Sequence, residues 1–350
     1  MGKPRVAIVG AGIMGLSIGT LLSDTHGREL DITIVADKFT PDTTSDKSGG
    51  QILPYIPASG KVDPSLEKSI VRWASATVRY LQELSQDPAI AEAIHLAKVT
   101  GYRLLGAKAP PLPFWRDAVL EFKELGEREL AGLKVRVAPK YKRAWMYQTF
   151  MLECPSYLPW LMERFRRNGG LIERKKVSSL SEFDGYDVVV NCTGLGARDL
   201  VGDTSIYPIR GQILALKGVS LDEIYENDKD TDPAMVYIFP WKDEVIIGGT
   251  ADANDWSTES NPQTTREIYA RCTEAVPKLA EGKVVRTWAG LRPMRSTVRL
   301  EMEKRQGCGP AVIHCYGHGG QGVTLHWGCA LDVAKLVETA LQLTPAKAKL

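Results

Sequence analysis

The 350-residue chain has almost no excess charge of either sign: 44 Lys and Arg stand against 42 Asp and Glu, a formal net charge of +2. That balance offers no basic surface for nucleic acid and no acidic tail. Apolar runs fall far short of a membrane span, and the N-terminus lacks a charged segment ahead of a long apolar core, so neither insertion nor secretion is expected. Cysteine is sparse. Cys154, Cys192, Cys272, Cys308, Cys315 and Cys329 form no C-x-x-C pair and no ligand-like spacing with histidine. They read as reduced intracellular thiols, mostly packing, with no metal site. The length is generous for one core, so two intimately packed domains are expected.

What the sequence does have is concentrated first in Val6 to Leu22, VAIVGAGIMGLSIGTLL. Val6 to Val9 fits a buried parallel strand, Gly10, Gly12 and Gly15 form G-x-G-x-x-G, and Met14 to Leu22 continues at helical spacing. In this pattern Gly10 permits the turn, Gly12 lets backbone approach a pyrophosphate, and Gly15 lets helix pack on strand, with the positive helix N-terminus aimed at the phosphates. A second strand, Asp31 to Ala36, ends in Asp37, placed to accept both ribose hydroxyls of an adenosine. The set predicts an adenine dinucleotide site; the alternative is an ordinary βαβ unit.

Further along, Thr43, Thr44 and Ser45 offer hydroxyls to phosphate, while Gly49 and Gly50 allow close approach to a flat ring. Apolar Ile70, Trp73, Val78, Leu81 and Leu84 predict an amphipathic scaffold helix within 64–86. Strand-like GYRLLG and the prolines Pro110, Pro111 and Pro113 suggest sheet edges and loops over 101–136. Cys154 to Arg167 reads as a helix stopped by Gly169 and Gly170, followed by strands LIERKKV and DVVVNCTG. Thr193 and Gly194 fall where the second of these delivers backbone to a cofactor. IRGQILAL, MVYIFP and EVIIGGT suggest an antiparallel sheet, with a helix from Gln263 to Val276 after it. A strand Ala311 to Cys315 enters a second glycine-rich turn, Gly317, Gly319, Gly320 and Gly322, which opens a helix from Val323 to Leu341. Its N-terminal dipole suits the negative N1/C2=O end of a reduced flavin; the alternative is an ordinary loop before a last helix.

The stretches VGAGIMGLS, ADKFTPDTTSD, CPSYLPWL, VVNCTGLG, RGQIL, VYIFP, IIGGT, GLRPMR and YGHGGQGVTLHWGCALDVAKL resemble, in order and over nearly the whole length, the FAD-dependent D-amino-acid oxidase and D-aspartate oxidase family. The resemblance implies an α/β fold, α+β overall: a Rossmann-type FAD-binding domain from 1–55, 145–200 and 285–345, and a mostly antiparallel substrate-binding domain from 56–144 and 201–284. It implies FAD contacts at Gly10, Ala11, Gly12, Ile13, Met14, Gly15, Asp37, Lys38, Thr43, Thr44, Ser45, Gly49, Gly50, Gln51, Val177, Thr193, Gly194, Gly319, Gly320, Gln321, Gly322, Val323 and Thr324. It also implies three substrate contacts. Arg292 would clamp the α-carboxylate, the Tyr237 hydroxyl would bind the same group, and the Gly320 carbonyl would accept from the amine; otherwise Arg292 is a surface ion pair and Tyr237 a core aromatic.

The implied chemistry needs few groups. A guanidinium holds the carboxylate bidentately, Cα–H faces flavin N5, and hydride passes directly to FAD, with no side-chain base and no catalytic role for His314, His318 or His326. Dioxygen then yields hydrogen peroxide, and the imino acid hydrolyses to a 2-oxo acid and ammonia. Two departures from the family stand out. The lid tyrosine of mammalian members is Pro233 here, and the two side-chain-directed arginines of the aspartate branch are Asp230 and Ala251, although DKFTPDTTSD and CPSYLPWL look closer to that branch. Leu53, Phe239 and Gln51 suggest a neutral wall that Lys229 or Lys242 would reach only through unexpected loop folds, so neutral D-amino acids are expected over D-aspartate. D-aspartate oxidase, a glycine- or sarcosine-type oxidase, a nicotinamide dehydrogenase and a flavin-binding scaffold without turnover stay open. The final Ala348, Lys349 and Leu350, a tail at 346–350, are close to the S-K-L address, which predicts a peroxisomal import receptor as partner. A homodimer is left open.

Overall fold

The computed structural model describes residues 2–55, 64–108, 110–228, 234–303 and 309–343. Pro233, Asp230, Lys229, Cys308 and the 346–350 tail lie outside these described residues. In chain order the strands are β1 (Arg5–Val9), β2 (Asp31–Ala36), β3 (Leu96–Leu105), β4 (Glu121–Leu125), β5 (Arg143–Leu152), β6 (Leu171–Arg174), β7 (Val188–Asn191), β8 (Tyr207–Lys217), β9 (Glu223–Asn227), β10 (Tyr237–Pro240), β11 (Val245–Gly248), β12 (Asp252–Ala253), β13 (Lys283–Glu303) and β14 (Ala311–His318). The helices are α1 (Ile13–His26), α2 (Pro64–Leu84), α3 (Pro88–Ala93), α4 (Glu127–Ala131), α5 (Cys154–Arg167), α6 (Ala197–Leu200), α7 (Pro262–Ala275) and α8 (Gly322–Leu341).

The apolar runs that read as buried strands form the parallel half of one sheet, in the order β14-β7-β1-β2-β6. They are apolar on both faces because both are covered. Val6, Ile8, Ile34 and Val190 pack with α1, α5 and α8 into the main core, while Ala7, Val9, Val35 and Val189 face Leu180 and Phe183 on the other side. Trp73 of α2 is buried in the main core, as its helical spacing predicts.

The other half continues the sheet as β4-β5-β3-β9-β10-β11-β8-β13. Its pairs are antiparallel except β3 with β9. One face, with Leu214, Leu216, Ile238 and Ile247, packs on Ile268, Cys272 and Ala275 of α7. The alternate residues Ile213, Ala215, Tyr237 and Phe239 point the other way. Strand β13 joins the halves: Lys283 to Met294 pairs with β8, and Met294 to Glu303 pairs with β14. Arg292 therefore sits near the seam. The strand expected over LIERKKV closes early, at Arg174.

Candidate active site

Between the uncovered face of the antiparallel half and the carboxyl ends of the parallel strands lies a cavity of about 1730 Å³. Every site residue expected from the sequence lines it except Gly15 and Gln321. At its β1–α1 end Gly10 has φ of +110°, and a Cβ there would lie 2.5 Å from the Cys192 carbonyl, so only glycine makes this turn. A Cβ on Gly15 would lie 1.9 Å from the Gly10 carbonyl; its task is helix-to-strand packing. At Gly12 an added Cβ would meet only Ser45 Oγ at 3.2 Å, leaving open space before α1. No side chain of the first residues caps α1 and its first turn holds no acid; its Ile13 N–H donates to Ser45 Oγ at 2.9 Å. Asp37 is exposed at the end of β2, its carboxylate without a hydrogen-bond partner among the described residues. Helix dipole, open approach and free acid fit the pyrophosphate and ribose of an adenine dinucleotide.

At three places the expected site residues also make contacts within the protein. Thr43 Oγ donates to Asp46 Oδ2 at 2.6 Å, and Thr40 Oγ to Oδ1 at 2.6 Å, so the Thr43 hydroxyl shapes the loop and is no free phosphate donor, whereas exposed Thr44 keeps its hydroxyl. Thr193 donates both its N–H and its hydroxyl to Asn191 Oδ1, at 3.1 and 2.7 Å, which leaves Gly194, at φ +56°, as the open backbone there. The flat ring against Gly49 is that of Phe239, 2.6 Å from a built Cβ, and Gly50 at φ +85° turns against the Leu152 carbonyl. Both glycines line the cavity, but protein packing demands them.

The second glycine turn closes the other side. Gly319 to Gln321 form one tight turn and α8 starts at Gly322, where an added Cβ would meet Ile13 at 3.5 Å; the N-termini of α1 and α8 thus lie side by side. Thr324 Oγ accepts from the Leu53 N–H at 3.2 Å, tying α8 to the strand-like 51–53 segment. Gln321 Oε1 is occupied by the Tyr55 N–H at 3.2 Å, which accounts for its absence from the cavity wall. Val323, Val177, Lys38, Ala11 and Met14 line the cavity as expected.

Arg292, half-buried, donates Nη1 to the Thr250 carbonyl at 2.8 Å and Nη2 to the Tyr237 hydroxyl at 3.3 Å. Among the described residues it has no carboxylate partner, so the surface ion pair is excluded for them. Gly211 makes room for the guanidinium: a Cβ there would lie 2.3 Å from Nη1. Gly320 is equally confined, its built Cβ 2.3 Å from the Tyr55 hydroxyl and 3.0 Å from Arg292 Cδ. Tyr237 stacks on Phe239 with ring centroids 4.9 Å apart. Burial pushes the Tyr237 phenol above its ordinary pKa, with the Arg292 charge opposing, so at neutral pH it is a hydrogen-bonding hydroxyl.

Sequence reasoning missed Tyr55, whose hydroxyl accepts from the Gly320 N–H at 2.9 Å, and the pair Arg103 and Glu226, which put two charges on a wall expected to be neutral. Leu53, Phe239 and Gln51 do line the cavity, as does uncharged Ala251. Lys242 turns outward to Glu92. The histidines have other work: buried His314 contacts Asn191 and Glu303, and His326 donates Nδ1–H to the Val323 carbonyl at 2.6 Å and accepts from Tyr157 at 3.0 Å. Among the described residues no cluster of His, Cys, Asp and Glu can hold a metal ion, and no helix is long and apolar enough to cross a membrane.

The family model described as FAD dependent oxidoreductase matches residues 5–336. The chain is 38% identical to a D-amino-acid oxidase of Rubrobacter xylanophilus, covering 96% of this chain and 97% of the relative. It is 35% identical to a D-aspartate oxidase of Homo sapiens over 96% and 95%. Among solved structures, a glycine oxidase from Geobacillus kaustophilus superposes with a TM-score of 0.78 at 19% identity, over 98% of this chain and 96% of the other. Matched along nearly its full length and carrying a dinucleotide cradle, the chain belongs to the FAD-dependent oxidoreductase family.

Proposed function

We propose that this protein oxidatively deaminates D-amino acids to 2-oxo acids and ammonia, forming hydrogen peroxide and favouring neutral side chains. The observation that carries the reading is a half-buried guanidinium with no carboxylate among the described residues, facing the cavity that holds the dinucleotide cradle. Such a cation calls for an anionic ligand, and the names of the two relatives supply its chemistry: amino acids. Arg292 and Tyr237 bind and orient the α-carboxylate; the Thr250 carbonyl fixes the guanidinium plane. The Gly320 carbonyl takes the amine, and the Tyr55 hydroxyl holds that peptide in place through its N–H. FAD bound in the cradle would supply the acceptor for the Cα hydride and the route for the two electrons to dioxygen. The residues lining the cradle, Gly12, Asp37, Thr44 and Gly194 foremost, would hold it. No group in the cavity need act as base if the amine binds unprotonated.

The test is a peroxide assay with a panel of D- and L-amino acids on the flavin-loaded protein; turnover of D-methionine without L-methionine supports the reading, and no turnover of any D-amino acid refutes it. The proposal includes the division into FAD-binding and substrate-binding segments, which the parallel and antiparallel halves of the sheet support. Docking of α2 on α8 moves 64–84 toward the first, and pairing of β5 with β3 moves 145–152 toward the second. It also includes import into peroxisomes through Ala348-Lys349-Leu350: deleting these three residues should leave the protein cytosolic in a eukaryotic cell.

A further inference from the structure

Register places a row of side chains on the cavity face that the reading above does not use. Arg103 of β3 lies beside Glu226 of β9, and Glu226 lies beside Tyr237 of β10. Paired positions on neighbouring strands share a face, with strands ~4.8 Å apart, so Glu226 stands between Arg103 and the proposed carboxylate-binding tyrosine across about 10 Å of backbone. Glu226 Oε1 accepts from Arg103 Nε at 3.2 Å, from Arg103 Nη2 at 3.0 Å and from the Tyr147 hydroxyl at 2.7 Å. The Gln51 amide donates to that hydroxyl at 2.7 Å, and the Arg103 guanidinium lies 5.3 Å over the Trp115 ring. Arg103, Glu226, Gln51 and Trp115 all line the cavity. Among the described residues every hydrogen bond of the Glu226 carboxylate goes to Oε1, and Oε2 takes none.

Tyr237 has two cross-strand neighbours, Glu226 on β9 and Gly248 on β11, and of these Glu226 alone brings a side chain to the cavity beside the proposed carboxylate site. We propose that Glu226 sets the substrate class: by neutralising Arg103 it closes the wall to acidic side chains, and its second oxygen accepts from side chains that donate hydrogen bonds. The inference rests on the reading of the cavity as a D-amino-acid site. It makes Arg103 a carboxylate clamp held shut by an internal competitor, since a second substrate carboxylate would meet a cation already paired and an anion beside it. Glu226→Gln keeps the shape and the Tyr147 contact while removing the carboxylate that hydrogen-bonds Arg103; Asp228, which also acts on Arg103 and lines the cavity, stays in place.

The experiment uses the full-length flavin-loaded protein and its E226Q, R103Q and R103Q/E226Q variants. Catalytic efficiency is measured near pH 7 with D-aspartate, D-methionine and D-lysine. Dissociation constants for malonate and benzoate are measured from the flavin absorbance change. The D-aspartate to D-methionine ratio should rise at least tenfold in E226Q and fall back in the double variant, with malonate gaining on benzoate in the same sense. In R103Q the uncompensated Glu226 should instead raise the D-lysine to D-methionine ratio at least tenfold. Changes under threefold in E226Q overturn the inference, and if E226Q does not fold, an unchanged D-lysine ratio in R103Q does so. Wild-type protein that oxidises no D-amino acid refutes the proposed function, while the malonate to benzoate comparison still decides whether Glu226 guards Arg103.

Discussion

Replacing Arg292 with alanine removes the guanidinium that hydrogen-bonds the Tyr237 hydroxyl at the cavity wall. Its Nη1 and Nη2 are already directed by the Thr250 carbonyl and the Tyr237 hydroxyl, so the guanidinium is pre-oriented and little ordering is needed when substrate arrives. An exposed ion pair would contribute ~0–1 kcal/mol. Arg292 is half-buried before any ligand binds, and flavin and substrate bound in the cavity would exclude further water from it, which puts it in the desolvated class, where losing one partner costs about 2–5 kcal/mol. At ~1.4 kcal/mol per decade, that is roughly a 30- to 4000-fold fall in kcat/KM. Oxygen uptake with D-methionine reads the effect, the flavin absorbance verifies that FAD stays bound, and benzoate titration separates binding from chemistry. Tyr237→Phe removes one neutral hydroxyl and should cost about 0.5–1.5 kcal/mol, clearly less than R292A. An R292A protein with kcat/KM within threefold of wild type, or a Y237F loss exceeding that of R292A, would refute the clamp.

Gly211→Ala should displace the guanidinium, since the new Cβ would fall 2.3 Å from Arg292 Nη1; the expected result is at least a tenfold rise in KM for D-methionine with FAD retained, and an unchanged KM would contradict it. Gly10→Ala introduces strain at φ +110° and a contact 2.5 Å from the Cys192 carbonyl, so equilibrium dialysis should show weaker FAD binding and a thermal scan a lower Tm. Burial lowers His326 to about 4, below its ordinary 6.5. Because the unfolded chain binds this proton more tightly, stability is complete above pH 6.5 and is lost as pH falls toward 4, by about 1.4 kcal/mol per unit at most. Denaturant titrations of wild type and H326Q across pH 7 to 4 should show a steeper slope in wild type; parallel slopes would place the acid sensitivity elsewhere.

The sequence by itself determined the elements whose causes are local. Gly10 and Gly15 read correctly because a tight strand-to-helix turn has only short-range steric requirements, and Asp37 follows from ending an apolar run with an acid. The helices α5, α7 and α8 and the strands β1, β2 and β7 announce themselves by apolar spacing and by the residues that stop them. Tertiary structure alone decided who faces whom across the sheet. Arg103 and Glu226 are 123 residues apart, Tyr147 and Glu226 are 79 apart, and Tyr55 and Gly320 are 265 apart. Those meetings depend on strand register and on β13 serving both halves of the sheet, and a register shift of one residue would turn each side chain to the opposite face. The same dependence hides from the sequence a packing demand on Gly49 and Gly50, whose neighbours Phe239 and Leu152 are brought to them by the tertiary fold. A hydroxyl's availability, too, is settled by folding, because whether Thr43 donates to a phosphate or to Asp46 depends on a loop closure that composition does not encode.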